Sequence, residues 1–194
     1  RGQGAGEGMG VGEVLVPLVV SMVPLILILT QLNAWYAWRP LAENETTVLT
    51  ARLSDDLPVM KQDITLDTSD GITMDTEAVR APAANEISWR LKAGTDECRG
   101  VTLKVNGQEV HKTVATGSRL ARISASRESG GFWHQLLYPS EPPLPDDGPV
   151  SAVYLQYPDR DLPMGSTGLH WLLAFILLSM LAGFGLMKPL GITI

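Results

Sequence analysis

No charged residue falls between Val14 and Trp38, and none falls between Leu162 and Met187. At about 1.5 Å of rise per residue, a helix over either run would cross the roughly 30 Å hydrocarbon core of a bilayer. A core helix of a soluble domain keeps one polar face, and neither run leaves room for one. A cleaved signal peptide has an apolar core of about 7–15 residues behind a basic segment. The first run exceeds that core, and the small residues near its end stand in AWYA, which is filled with large aromatics. The expectation is therefore a membrane helix at 14–38 and a second at 162–187, the latter with a lead-in before its apolar heart LHWLLAFILLSMLAGFGLM. Residues 1–13, which carry RGQGAGEGMG, read as a flexible glycine-rich tail, residues 188–194 as a C-terminal tail, and residues 39–161 as a domain between the helices.

Charge supports this division. The chain has 15 basic and 21 acidic residues, net −6. Apart from Arg1, Glu7, Glu13 and Lys188, all of them lie between Arg39 and Asp161. An acidic domain without a basic stripe lacks the electrostatic footprint of a nucleic-acid binder or of a surface for anionic headgroups. The expected partners are the lipid bilayer and other integral membrane proteins. Two spans put both termini on one side. The flanking bases Arg1 and Lys188 place that side in the cytoplasm, because short flanks rather than long loops set orientation. Trp35, Tyr36 and Trp38 then share a leaflet with His170 and Trp171, as an interfacial aromatic belt would.

The first span contains Pro17 and Pro24, seven residues apart and so nearly on one face. An interior proline costs a soluble helix about 3 kcal/mol. A membrane helix tolerates it where neighbouring helices or hydroxyls satisfy the freed carbonyl. Pro24 frees the carbonyl of Val20, beside Ser21. In the second span Ser179 and Gly183 are four apart, a spacing that lets two helices approach closely. These four residues form the expected helix-packing face.

The intervening domain reads as β-structure. TTVLTARL (Thr46–Leu53) and EISWRLKA (Glu86–Ala93) alternate between apolar and polar residues. In VTLKVNGQEVHKTV (Val101–Val114), Asn106-Gly107 supplies the positive φ angles of a type I′ hairpin. With QDITLDT (Gln62–Thr68), ARISASR (Ala121–Arg127) and AVYLQYP (Ala152–Pro158), about seven short strands are expected. That pattern fits an immunoglobulin-like β-sandwich without the usual cysteine pair, since Cys98 is the only cysteine. The aromatic and proline-rich segment Gly130–Val150 is expected to cap the sandwich core, with a membrane-near apolar loop as the alternative; its first half reads as a short helix and its second as extended chain.

No catalytic constellation emerges. Cys98 with His111 or His134 would be the only nucleophile–base pair, and no local signature supports it. Three histidines spread over this length give no metal-ligand spacing. Asp55-Asp56 and Asp146-Asp147 read as solvated turns, and Asn44-Glu45-Thr46 is a glycosylation sequon. His170 is a candidate contact for a tetrapyrrole, set against its plainer reading as an interfacial histidine. Neither span carries a charge at depth, the usual mark of an ion or proton path. The expectation is a protein that is not an enzyme and has no cofactor or metal.

The segments VPLVVSMVPLILILTQLNAWYAWRPL and LHWLLAFILLSMLAGFGLMKPLGI, spaced around ISWRL and LLYPSEPPLP, resemble an uncharacterised group of bacterial membrane proteins. The layout of that group resembles the YidC-type insertase superfamily. The resemblance implies a two-pass protein of the bacterial inner membrane with a periplasmic domain and a role in membrane-protein insertion or assembly. The spans lack the basic residue in a membrane groove that marks working insertases. The prolines in the first span, the small-residue face of the second and the lack of a catalytic constellation point instead to an accessory or structural subunit of a larger membrane complex.

Overall fold

The computed structural model describes residues 11–94, 99–130, 140–164 and 167–187. Two helices flank a mostly antiparallel β-region. Helix α1 (Val11–Tyr36) runs unbroken through Pro17 and Pro24. Helix α2 (Trp171–Met187) has 17 residues. Between them lie β1 (Thr46–Leu53), β2 (Ile64–Thr68), β3 (Ile72–Met74), β4 (Val79–Ala81), β5 (Glu86–Ala93), β6 (Arg99–Val105), β7 (Gln108–Val114), β8 (Ser126–Glu128), β9 (Val150–Leu155), β10 (Asp161–Met164) and β11 (Thr167–His170).

Six of these strands form one sheet in the order β3-β5-β1-β9-β8, with β4 also paired to β5. A second sheet has the order β2-β6-β7. Alternation explains both. Along β5, Ile87, Trp89, Leu91 and Ala93 are buried. Along β6, Val101, Leu103 and Val105 are buried. The inward side chains of both sheets belong to one core cluster, which also takes in Leu49, Leu53, Leu66 and Val153. Burial stabilises each large apolar side chain by about 1.5–3 kcal/mol. The β6–β7 hairpin turns through Asn106 at φ 51° and Gly107 at φ 85°, the left-handed pair that a type I′ turn requires.

The strand order is not that of an immunoglobulin domain, where the first strand pairs with the second. Here β1 pairs with β5 and β9, antiparallel to both. Asn85 explains the departure. At φ 53°, it donates from Nδ2 to the carbonyls of Ser54 (3.1 Å) and Leu57 (3.2 Å) and accepts from the Val59 amide at Oδ1 (2.9 Å). The chain after β1 is thereby turned out of the first sheet, through a short 3-10 helix at Val59–Lys61, and into the second.

Three expectations need adjustment. The run ARISASR contributes only Ser126 and Arg127 to a strand. The lead-in to the second helix is a hairpin, with Asp161 paired to His170 and Met164 to Thr167. Among the described residues only α1, over the 22 residues Leu15–Tyr36, is long and apolar enough by itself to cross a membrane; the described α2 is shorter. The expected helix within Gly130–Val150 lies largely outside the described residues.

Candidate interaction surface and helix junction

From Leu15 to Ile28 every side chain of α1 is exposed, and so is every one of α2 from Ile176 to Leu186. Leu178 and Leu181 are each 69% exposed. Pro17, Pro24, Ser179 and Gly183 all lie in these stretches. A Cβ added at Gly183 or Gly185 would meet nothing within 4 Å. Among the described residues, none of the four is gathered against another part of the chain. Monomeric soluble proteins rarely expose apolar patches above a few hundred Å². Two apolar helices without a cover among the described residues are therefore a candidate interaction surface. Ser21, next to the carbonyl that Pro24 frees, donates its hydroxyl to Leu18 O at 2.8 Å and not to Val20.

The C-terminal end of α1 is held by the β-region. A helix leaves its last carbonyls without intrahelical partners. Here the Ile123 amide donates to Ala34 O (2.9 Å), and the Arg160 amide donates to Ala37 O (3.0 Å). Arg160 Nε donates to Trp38 O (3.0 Å), and Arg122 Nη2 donates to Gln31 Oε1 (3.1 Å). Ala34 and Ala37 are buried, so the last turn packs as well as bonds. Just beyond it, Arg39 clasps Glu45 with two hydrogen bonds of 2.7 and 2.8 Å. That clasp holds the Glu45 carboxyl below its ordinary range, with a further contribution from the Ala42 amide.

The aromatic residues expected to form a belt divide in their surroundings. Trp35 is exposed, Tyr36 and Trp38 are half-buried, and Trp38 packs on the core. Trp171 is buried, with its ring 5.8 Å from that of His170. His170 is exposed and caps α2, its Nδ1 accepting from the Leu172 amide at 3.3 Å. A neutral imidazole accepting at Nδ1 carries its proton on Nε2. While the cap holds, Nε2 has no lone pair for a metal and can only donate.

Of the chemical candidates, Cys98 and His134 lie outside the described residues. His111 Nδ1 is within 2.9 Å of Thr102 Oγ1. Asp55, Asp56, Asp146 and Asp147 are exposed. Among the described residues no three His, Cys, Asp or Glu side chains gather as a metal site.

One buried ionic group escaped the sequence reading. Lys112 is 2% exposed and donates to Ser124 O (2.7 Å) and to Glu141 Oε2. Glu141 Oε1 accepts from the Thr113 amide (2.8 Å). Burial pushes the Lys112 ammonium below its ordinary pKa, against the pull of Glu141. Arg127 lies across the same edge, donating to His111 O and, from Nε, to Pro142 O (2.8 Å). Together Glu141 and Arg127 occupy backbone groups on the free edge of β7, which would otherwise template another strand. The signal was in the alternation: Lys112 stands between Val110 and Val114, on the inward parity of β7.

No family model matches the sequence, and no curated protein matches it.

Proposed function

We propose that this chain is a non-enzymatic accessory subunit of a larger membrane protein complex. Its two apolar helices would pack against other integral membrane proteins and lipid, in a bacterial inner membrane. Both termini would be cytoplasmic and the β-region periplasmic, built as a two-sheet sandwich of immunoglobulin-like architecture with its own strand order. The observation that carries this reading is the exposure of every α1 residue from Leu15 to Ile28, all apolar but Ser21, with no described residue of the β-region covering them. The open space at Gly183 on α2 is the kind of surface a second helix backbone approaches. At 17 residues, α2 measures about 25 Å at 1.5 Å per residue. A helix that short spans by thinning the bilayer or by associating with others.

Gentle detergent extraction followed by a native gel and mass spectrometry tests the proposal. The chain should migrate in a complex of defined stoichiometry with at least one other integral membrane protein. Recovery as a monomer with no co-purifying protein would overturn it. Slowed insertion of many unrelated membrane proteins after depletion would instead assign the chain to insertion or assembly.

A further inference from the structure

Beyond β7 the chain leaves the sheet and runs back along α1. Thr116 bridges to Leu41, and the Gly117 amide donates to Leu41 O at 2.8 Å. Gly117 stands at φ 102°, in the left-handed region that favours glycine, and turns the chain there. At its far end the loop is tied to the helix. Arg122 Nη2 donates to Gln31 Oε1 (3.1 Å), and the Ile123 amide donates to Ala34 O (2.9 Å). Since α1 ends at Tyr36, Gln31 lies about 7.5 Å inside that end at 1.5 Å per residue. Residues 117–122 therefore pass the end of α1 and descend beside its last turns. On the membrane reading above, on which this inference rests, that is the depth of lipid headgroups, marked by Trp35 and Tyr36.

What the loop exposes suits that depth. Among the described residues of the β-region, the large apolar side chains that are exposed are Met60, Met74, Val79 and Leu120. Of these only Leu120, at 48% exposure, belongs to a segment bonded to α1. Arg119 and Arg122 stand on either side of it, both exposed, and no acid occurs from residue 116 to residue 126. Arg119 has no ion-pair partner among the described residues. Glu43 and Asp161 share a cleft with Gly117 and Ser118, and among the described residues neither is paired with an arginine of the loop. The net −6 of the chain argues against a broad surface for anionic headgroups. Salt screens exposed charges beyond about 10 Å, however, so two arginines act locally. An arginine stem lies on apolar surface while its head stays in the polar layer, and that is what a leucine between two arginines provides at a lipid boundary.

We propose that residues 117–122 form a lipid-docking loop: Leu120 enters the outer acyl region of the leaflet next to the β-region, and Arg119 and Arg122 bind the phosphates of anionic phospholipids there. The charge selects the occupant, because a phosphatidylcholine headgroup presents the same phosphate beside a compensating ammonium. The loop thus gives the β-region a hold on the bilayer that is separate from α2.

The test uses the full chain reconstituted into vesicles of phosphatidylcholine and phosphatidylglycerol. Ser118→Cys in a Cys98→Ala background carries a nitrobenzoxadiazole label on the loop, at an exposed position that keeps Leu120 and both arginines. Asp147→Cys, also exposed, is the control on the β-region, and Val23→Cys, exposed on α1, reports on the span. Lipid with a nitroxide near its headgroup should quench the label at 118 and leave that at 147 unchanged. Leu120→Gln should weaken the quenching. At equal mole fraction, spin-labelled phosphatidylglycerol should be enriched around the loop at least about fivefold over spin-labelled phosphatidylcholine, the ratio expected for one arginine at an anionic surface. Arg119→Gln together with Arg122→Gln should bring the ratio to parity. Because Arg122 also bonds Gln31, Arg119→Gln alone is the second variant, and it should lower the ratio while the label stays quenched. Equal quenching by the two lipids, quenching unchanged by Leu120→Gln, or a preference that survives the double variant would overturn the loop's role. A label at 118 that neither spin-labelled lipid nor aqueous iodide reaches would overturn it in favour of a protein neighbour. The label at 23 reports separately on the membrane reading: no quenching there by a mid-chain nitroxide would sink that reading, whereas quenching at 23 without quenching at 118 would sink the docking loop alone.

Discussion

Lys112 occupies a position where strand alternation calls for a valine. It is buried between Val110 and Val114 on β7 and reaches Glu141 and the Ser124 carbonyl. Such a pair adds little net stability over an apolar one, but breaking it by removing one partner costs about 3–5 kcal/mol. Glu141→Gln keeps the shape and removes the charge, leaving the ammonium buried beside a neutral amide. Urea unfolding in detergent, followed by tryptophan fluorescence, should show the midpoint falling with an unchanged slope. The double variant Lys112→Met/Glu141→Leu should recover most of that loss. A Glu141→Gln midpoint equal to that of the parent would show that the pair is solvated and not part of the core. The sequence hid this contact because 28 residues separate Thr113 from Glu141, and no local pattern links a lysine on a strand to a glutamate in a proline-rich loop. Asn85 was hidden for a similar reason. Its turn-forming side chain looks ordinary until the loop Ser54–Val59 is seen wrapped around it.

Among the elements, legibility followed length and period. The eight-residue strands β1 and β5 alternate through their whole length, and Asn106-Gly107 fixed its own hairpin by backbone conformation. The three-residue strands β3, β4 and β8 are too short to carry a period, and their pairing depends on tertiary context. β10 and β11 were concealed by the uncharged run that they share with α2. Leu162, Pro163 and Met164 are apolar enough to read as helix, yet they pair as strand. The helices themselves yield a prediction. Gly183→Leu adds bulk where the chain itself leaves open space, so the isolated subunit should insert and fold as before. If a partner helix fills that space, overpacking should cost about 1–3 kcal/mol, which lowers association about tenfold or more. Recovery of co-purifying proteins should fall accordingly. Pro24→Leu should have a weaker effect, because α1 already continues through Pro24 without a break. Unchanged recovery with both variants would reduce the helices to tethers and leave the β-region as the interaction surface.

At the scale of the whole molecule, the two helices enter the β-region at different points but through one junction. The end of α1 is bonded to Ile123 and Arg160, and α2 starts on the hairpin that Asp161 opens. Both connections join the helices at their β-proximal ends, so a bilayer around the helices would leave the whole β-region on one side of it. The sequence could locate the helices because charge is excluded from α2 and from all of α1 beyond Glu13. It could not reveal the junction, because that depends on backbone carbonyls and on donors from loops far along the chain. Orientation then rests on the flanking bases Arg1 and Lys188, and it can be measured with a single cysteine. Asp147 is exposed in the loop before β9, so Asp147→Cys in a Cys98→Ala background places one accessible thiol on the β-region. A membrane-impermeant maleimide applied to cells with a permeable outer envelope and an intact inner membrane should label it fully, with no further gain when the inner membrane is opened. A thiol introduced by Arg1→Cys should behave in the opposite way, reacting only after opening. Protection of the β-region thiol until the inner membrane is breached would put the β-region in the cytoplasm and reverse the proposed orientation.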